Sequence, residues 1–244
     1  MIEKRGQVTI FVIIAILIVA GVVAYFLLRD KLNLNISSIP AKLNPIINQI
    51  QNCIENTLQD GTNLVGLQGG YVIPPNNSLE TDFSYIAYGY YLGSNTLASK
   101  TKIGNEISKY IELTLPFCFD ASVFPNYKII TSNVKAETKI NTNSVSVSVS
   151  FPLIVSKEES SWKIDKKYVA DYKSKLGDMY GVAQGIIGKE IENPDSIDMT
   201  FLSSFDYDVS ILHEGNNIVV YSISDYNPNE TGGRYIFRFA NKIR

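Results

Sequence analysis

Residues 144–151 read Ser-Val-Ser-Val-Ser-Val-Ser-Phe, and this alternation sets the class of fold. A period of two puts Val145, Val147, Val149 and Phe151 on one face and the serines on the other. That is the pattern of a half-buried strand in an antiparallel sheet. Upstream, residues 129–140 supply a partner strand, joined through Asn141-Thr142-Asn143, residue types that favour turns. Downstream, residues 158–161 turn the chain into a third strand around 162–164, so residues 127–168 read as a three-stranded meander. Three more strands follow near 207–212, 218–224 and 234–240, with turns at Gly215-Asn216-Asn217 and across 225–233. In the last of these Tyr235, Phe237 and Phe239 alternate with Arg234 and Arg238, which puts one face inside and the other toward solvent.

Helical periodicity appears in three places after residue 44. Asn44-Pro45 combines a good cap with a residue preformed for the first helical turn, and Ile47, Ile50, Ile54 and Leu58 then recur at helical spacing. That helix ends by Gly66 or at Gly69-Gly70, and Tyr71-Val72-Ile73 reads as a strand stopped by Pro74-Pro75. Residues 99–114 carry Ile103, Ile107, Tyr110 and Ile111 on one face, with Pro116 as the stop. Residues 172–192 form a third helix with Leu176, Met179, Ala183, Ile187 and Ile191 as its apolar face. Gly177, Gly181 and Gly185 lie four apart at about 1 kcal/mol per glycine: either a ridge that lets this helix approach a neighbour closely, or the mark of an irregular or broken helix.

Of the two cysteines, Cys53 lies beside the apolar stripe of the first helix and Cys118 comes directly after the second. They permit one disulfide, which would close a loop of 65 residues and contribute roughly 3–4 kcal/mol, or they are two separate buried thiols.

The N-terminal stretch has a different character. Residues 8–28, VTIFVIIAILIVAGVVAYFLL, carry no charge, and as a helix they would span roughly 31 Å, the thickness of a bilayer's hydrocarbon core. Lys4 and Arg5 precede this run; Arg29 and Lys31 follow it. Ala20 and Ala24, with Gly21 beside them, form a small-residue pair of the kind that lets membrane helices pack. Residues 31–40 are rich in Asn and Ser and end in Pro40, a tether rather than a continued helix.

The string Lys4-Arg5-Gly6-Gln7-Val8-Thr9 ahead of a pure apolar run resembles the class III signal peptide of archaeal type IV pilin-like surface proteins. The resemblance covers about 25 residues of the N-terminus. It implies processing between Gly6 and Gln7 by a prepilin-type peptidase on the cytoplasmic side, with the apolar helix retained. Phe11 stands at the fifth mature position, where many members carry Glu. Self-association, or assembly with other surface or pilin-like subunits, is the partnership implied beside the lipid bilayer.

The remaining composition excludes much. The net charge of −2 gives no basic patch for nucleic acid. One histidine, His213, cannot build a typical zinc site, and no phosphate-loop, dinucleotide or nucleophile-elbow motif occurs. No catalytic residue and no cofactor are implied. The dense tyrosines Tyr85, Tyr88, Tyr90 and Tyr91 read either as an aromatic binding face or as an ordinary sheet surface. Sequons at Asn35-Ile36-Ser37, Asn76-Asn77-Ser78 and Asn229-Glu230-Thr231 are glycan acceptors if the domain lies outside the cell, although a chain rich in Asn and Ser produces some by chance.

The expectation is therefore an α+β protein. It has a basic leader (1–6), a single transmembrane helix (7–30), a tether (31–44) and an extracytoplasmic domain (45–244). That domain is expected to hold an antiparallel sheet and about three helices, divisible into 45–125 and 126–244. The expected role is that of a membrane-anchored cell-surface structural or interaction protein, with the N-terminus cytoplasmic. The alternative is a membrane-tethered accessory or ligand-binding domain that does not polymerise.

Overall fold

The computed structural model describes residues 18, 39–194, 196–215, 217–225 and 234–243. The chain divides into two units, Met1–Ala41 and Lys42–Arg244. In chain order the elements of the second unit are α1 (Asn44–Leu67), β1 (Ser78–Glu80), β2 (Tyr85–Tyr91), β3 (Ser94–Asn95) and α2 (Lys100–Cys118). Next come β4 (Lys128–Thr131), β5 (Lys135–Ile140), β6 (Ser144–Ser150), β7 (Leu153–Lys157), β8 (Ser160–Ile164) and β9 (Lys167–Lys173). The chain continues with α3 (Leu176–Glu192), α4 (Met199–Leu202), β10 (Asp208–His213), β11 (Ile218–Ser224) and β12 (Ile236–Lys242).

The meander is present, and each of its long strands is interrupted midway. β4 with β5, β6 with β7, and β8 with β9 are successive halves. Pro152 sits in the central break, and a proline has no N–H with which to continue a ladder. The halves therefore form two antiparallel sheets, β4-β7-β8 and β5-β6-β9. Ser132 N–H still donates to the Pro152 carbonyl at 2.9 Å across the break. In β6 the expected valines, Val145, Val147 and Val149, are buried, and the serines between them are half-buried on the opposite face.

The third sheet runs β1-β2-β12-β11-β10, with β3 attached to β2. β10, β11 and β12 form antiparallel hairpins, whereas β12 lies parallel to β2. A parallel neighbour is possible because well over a hundred residues separate the two strands, ample for a crossover.

α1 joins these layers. Its stripe of Ile46, Ile50, Ile54, Leu58 and Val65 is almost wholly buried. It packs against α2, against β6 and β9, and against β12. α2 lays Ile103, Ile107, Ile111 and Leu115 inward beside β5. α3 covers β2, β11 and β12 and reaches β6.

The expected fold class needs correction. A membrane-crossing helix followed by one antiparallel sheet and about three helices does not describe what is observed. Among the described residues there are four α-helices and three sheets, one strand pair is parallel, and no helix is long and apolar enough to cross a membrane. α1 has 24 residues, yet it is amphipathic: Asn48, Asn52, Glu55, Asn56, Gln59 and Asp60 form its exposed side. The breaks in the meander account for one of the two additional sheets. Apart from Ile18, residues 8–28 lie outside the described residues, as do Gly6, Gln7, Ala20, Gly21 and Ala24.

Smaller differences have local causes. Residues 71–73 form no strand, because the Val72 N–H is taken by the Glu106 carboxylate at 3.3 Å. Tyr172 belongs to β9, opposite Val145, so α3 begins only at Leu176. Pro116 lies within the last turn of α2 rather than stopping it, and the Phe119 N–H still reaches Leu115 O at 3.0 Å. Asn44 is the first residue of α1 rather than its cap; Leu43 holds the cap position.

The three spaced glycines of α3 are not equivalent. A Cβ on Gly177 would come within 1.9 Å of the Asn141 carbonyl oxygen, so the helix starts hard against the β5–β6 turn. A Cβ on Gly185 would meet the Phe201 ring at 2.9 Å, and one on Gly181 would meet nothing within 4 Å. Gly177→Ala is therefore expected to destabilise the domain by about 1–3 kcal/mol through backbone overpacking. Gly181→Ala should stabilise it by up to about 1 kcal/mol through helix propensity. Urea unfolding of the two variants checks this; shifts of the same sign would contradict the packing described.

Candidate functional site

The end of α1 builds the site. Gly69 and Gly70 take φ of +71° and +95°, a region that favours glycine, and turn the chain off the helix. Gly70 N–H donates to Val65 O at 2.7 Å, and Ala87 N–H donates to Gln68 O at 3.3 Å, fastening the turn to β2. Tyr71 follows directly. Glu106 of α2 holds this segment, since one carboxylate oxygen accepts from Val72 N–H and the other pairs with Lys102 at 2.9 Å. The Lys102 ammonium lies 5.5 Å from the Tyr71 ring centroid.

β2 contributes the other wall through a bulge. Ala240 pairs with Tyr88 and Asn241 with Tyr90, so Gly89 is an extra residue on β2. A bulge of this kind resets the alternation of side chains. Gly89 faces Phe239 and Ile187, Tyr90 is turned inward and only 3% exposed, and Tyr91 rejoins Tyr88 on the half-buried side. The Tyr88 and Tyr91 ring centroids are 5.0 Å apart. Tyr71, Pro75, Asn77, Tyr88, Tyr91 and Thr96 line a cavity of about 200 Å³. The Lys242 ammonium lies 5.8 Å from the Tyr91 ring. Burial, and then the neighbouring Tyr91 hydroxyl, push the Tyr88 pKa up, so its phenol remains a neutral donor at pH 7. Aromatic faces with phenolic donors suit stacking and hydrogen bonding rather than acid–base chemistry.

Of the four tyrosines that stand out in the sequence, the structure brings Tyr88 and Tyr91 together. Tyr90 is in the core. Tyr85 stands apart, about half exposed, and donates to Glu80 at 3.1 Å. Tyr71, which its sequence pattern places in a strand, completes the cavity instead. Cys53 and Cys118 form a disulfide with Cα atoms 5.8 Å apart, joining the middle of α1 to the end of α2. His213 lines a separate depression of about 300 Å³ with Pro194, Ser196, Ile197, Asn217 and Val219. Among the described residues no group of three or more His, Cys, Asp and Glu side chains is placed to hold a metal ion.

A buried polar cluster lies on the other side of the bulge. Glu190 of α3, 3% exposed, accepts from the Tyr221 hydroxyl and from the Asn241 amide, each at 2.5 Å. The Asn241 carbonyl in turn accepts Tyr90 N–H at 3.0 Å. The cavity beside Glu190, edged by Lys189, Asp198, Phe201 and Leu202, measures about 10 Å³, no more than one water fills. A substrate has no room there, so the cluster acts on structure: it fixes α3 and the bulge against each other.

Comparison of the chain with known protein families, with curated proteins and with solved structures finds no match.

Burial pushes the Glu190 carboxyl up from its ordinary value of 4.5, against the two hydrogen bonds, which favour the anion. A raised folded-state pKa means that the folded protein holds the proton more tightly than the unfolded chain. This contribution to stability is complete below about pH 4.5 and is lost as pH rises through the raised value. Glu190→Gln is expected to flatten that fall and to raise stability at pH 7. Asn241→Leu, which leaves the carboxylate and Tyr90 N–H short of partners, should cost roughly 3 kcal/mol. Unfolding midpoints measured across pH 4–8 check both; superimposable profiles for Glu190→Gln and the native chain would contradict this role of the carboxyl.

Proposed function

We propose that this protein is a cell-surface structural or interaction module. Its domain works outside the cytoplasm, it is held at the membrane by the apolar sequence 8–28, and it is pilin-like in its export signal. The observation that carries the reading is the Cys53–Cys118 disulfide, a bond that forms and persists in oxidising compartments. The uncharged run and the Lys4-Arg5-Gly6-Gln7 string support the same location from the sequence.

A second reading, a tethered ligand-binding domain that does not polymerise, is favoured by the tyrosine cavity. Three tyrosines line it together with Asn77, a set of residues suited to a ring-bearing ligand with polar edges.

Protease added to intact cells of the native host should digest the domain while a cytoplasmic marker survives. Full protection of residues 42–243 would overturn the location. Mechanical shearing separates the two readings: a polymer is released with the sheared filaments, whereas a tethered domain stays with the membrane.

The export signal has its own test. The mature chain should begin at Gln7, and replacing Gly6 by a bulky residue should block processing. An N-terminal peptide retaining residues 2–6 in the native host would remove the pilin-like part of the reading.

A further inference from the structure

We infer that Asn76 is the acceptor of an N-linked glycan, an inference that rests on the extracytoplasmic location proposed above. Asn76-Asn77-Ser78 satisfies the acceptor rule, with a middle residue other than proline. The fold delivers what that rule alone does not. Asn76 is exposed, in a bend between Pro75 and the first residue of β1. No hydrogen bond engages its carboxamide among the described residues. The neighbouring geometry holds the bend open. Ser78 Oγ donates to the Pro75 carbonyl at 2.7 Å, closing a short turn from which residues 76 and 77 project, and all three sequon residues are at least partly accessible. Releasing that one exposed hydrogen bond to a transferase costs about 1 kcal/mol. Asn241 shows the opposite case, an amide that is buried and held by Glu190. The sequons at Asn35 and Asn229 lie outside the described residues.

The step is a group transfer from a lipid-linked glycosyl phosphate or pyrophosphate donor. The bond between the anomeric carbon and the phosphate oxygen breaks, and the bond between that carbon and Asn76 Nδ2 forms. Nδ2 gives up one proton, and the phosphate leaves with the electron pair. Nothing is oxidised or reduced. Pro75 and Asn77 line the tyrosine cavity, so the sugar attached at Asn76 stands beside its mouth.

The experiment is peptide mass analysis of the full chain purified from its native host without reduction. The peptide containing Asn76 should carry a mass shift of whole-sugar increments and release sugar fragments on collision. The shift should be lost in Asn76→Gln and in Ser78→Ala. It should persist in Ser78→Thr and in Asn77→Gln, which keep the sequon. All four variants change exposed or partly exposed residues, and a cooperative unfolding transition in each unmodified form confirms that it folds. An unmodified Asn76 peptide beside an intact Cys53–Cys118 linkage overturns the glycan and leaves the location standing. An unmodified Asn76 peptide with both thiols free overturns both. A glycan that survives in Ser78→Ala also overturns the assignment.

Discussion

The interior is assembled around the apolar stripe of α1, which must be covered on more than one side at once. Most of the stability of an amphipathic helix comes from what its apolar face is packed against rather than from propensity. α2 covers one flank, β6 and β9 another, and β12 meets its C-terminal half. At Gly66 the approach is so close that a Cβ would lie 2.5 Å from the Ile236 carbonyl oxygen. The Tyr235 hydroxyl donates to Thr62 O at 3.1 Å and closes the same contact from the other side. The meander, the third sheet and the disulfide thus share one helical surface, and displacement of α1 would expose all of them.

Much of this was legible because side-chain periods are strict. The valines of β6, the aromatic residues of β12 and the isoleucines of α1 and α2 each announce a buried face by spacing alone. The same arithmetic also locates polar residues inside the core. Extending the period-two face Tyr235, Phe237, Phe239 by one step lands on Asn241. On α3, Ile186 and Ile187 point by three- and four-residue steps to Glu190, whereas Ile191 is half exposed. The buried carboxyl and its amide partner were therefore encoded in the same pattern as the core.

Other features leave no local trace. Nothing near Gly89 says that the strand will carry an extra residue, because the bulge is defined by a partner more than a hundred positions away. Which of the tyrosines face a cavity depends on that bulge. Tyr71 belongs to the cavity only because Glu106 captures the backbone beside it. The parallel pairing of β2 with β12 is likewise a decision of topology. Pro152, by contrast, was visible in the sequence, and its effect on the meander follows from a missing N–H.

The position of β12 has a consequence for how the domain is made. It lies between β2 and β11, so an interior place in the sheet is filled by a segment synthesised after every other described element. A growing chain can place α1 beside α2 and bring Cys53 to Cys118 while residues 236–242 are still to come. Until then one edge of β2 lacks its ladder, and the C-terminal half of α1 keeps an open apolar flank. Such a half-built sheet is a template for unwanted pairing. A nascent chain therefore carries an adhesive, half-built sheet until residues 236–242 emerge, and a product stopped before residue 236 would remain there.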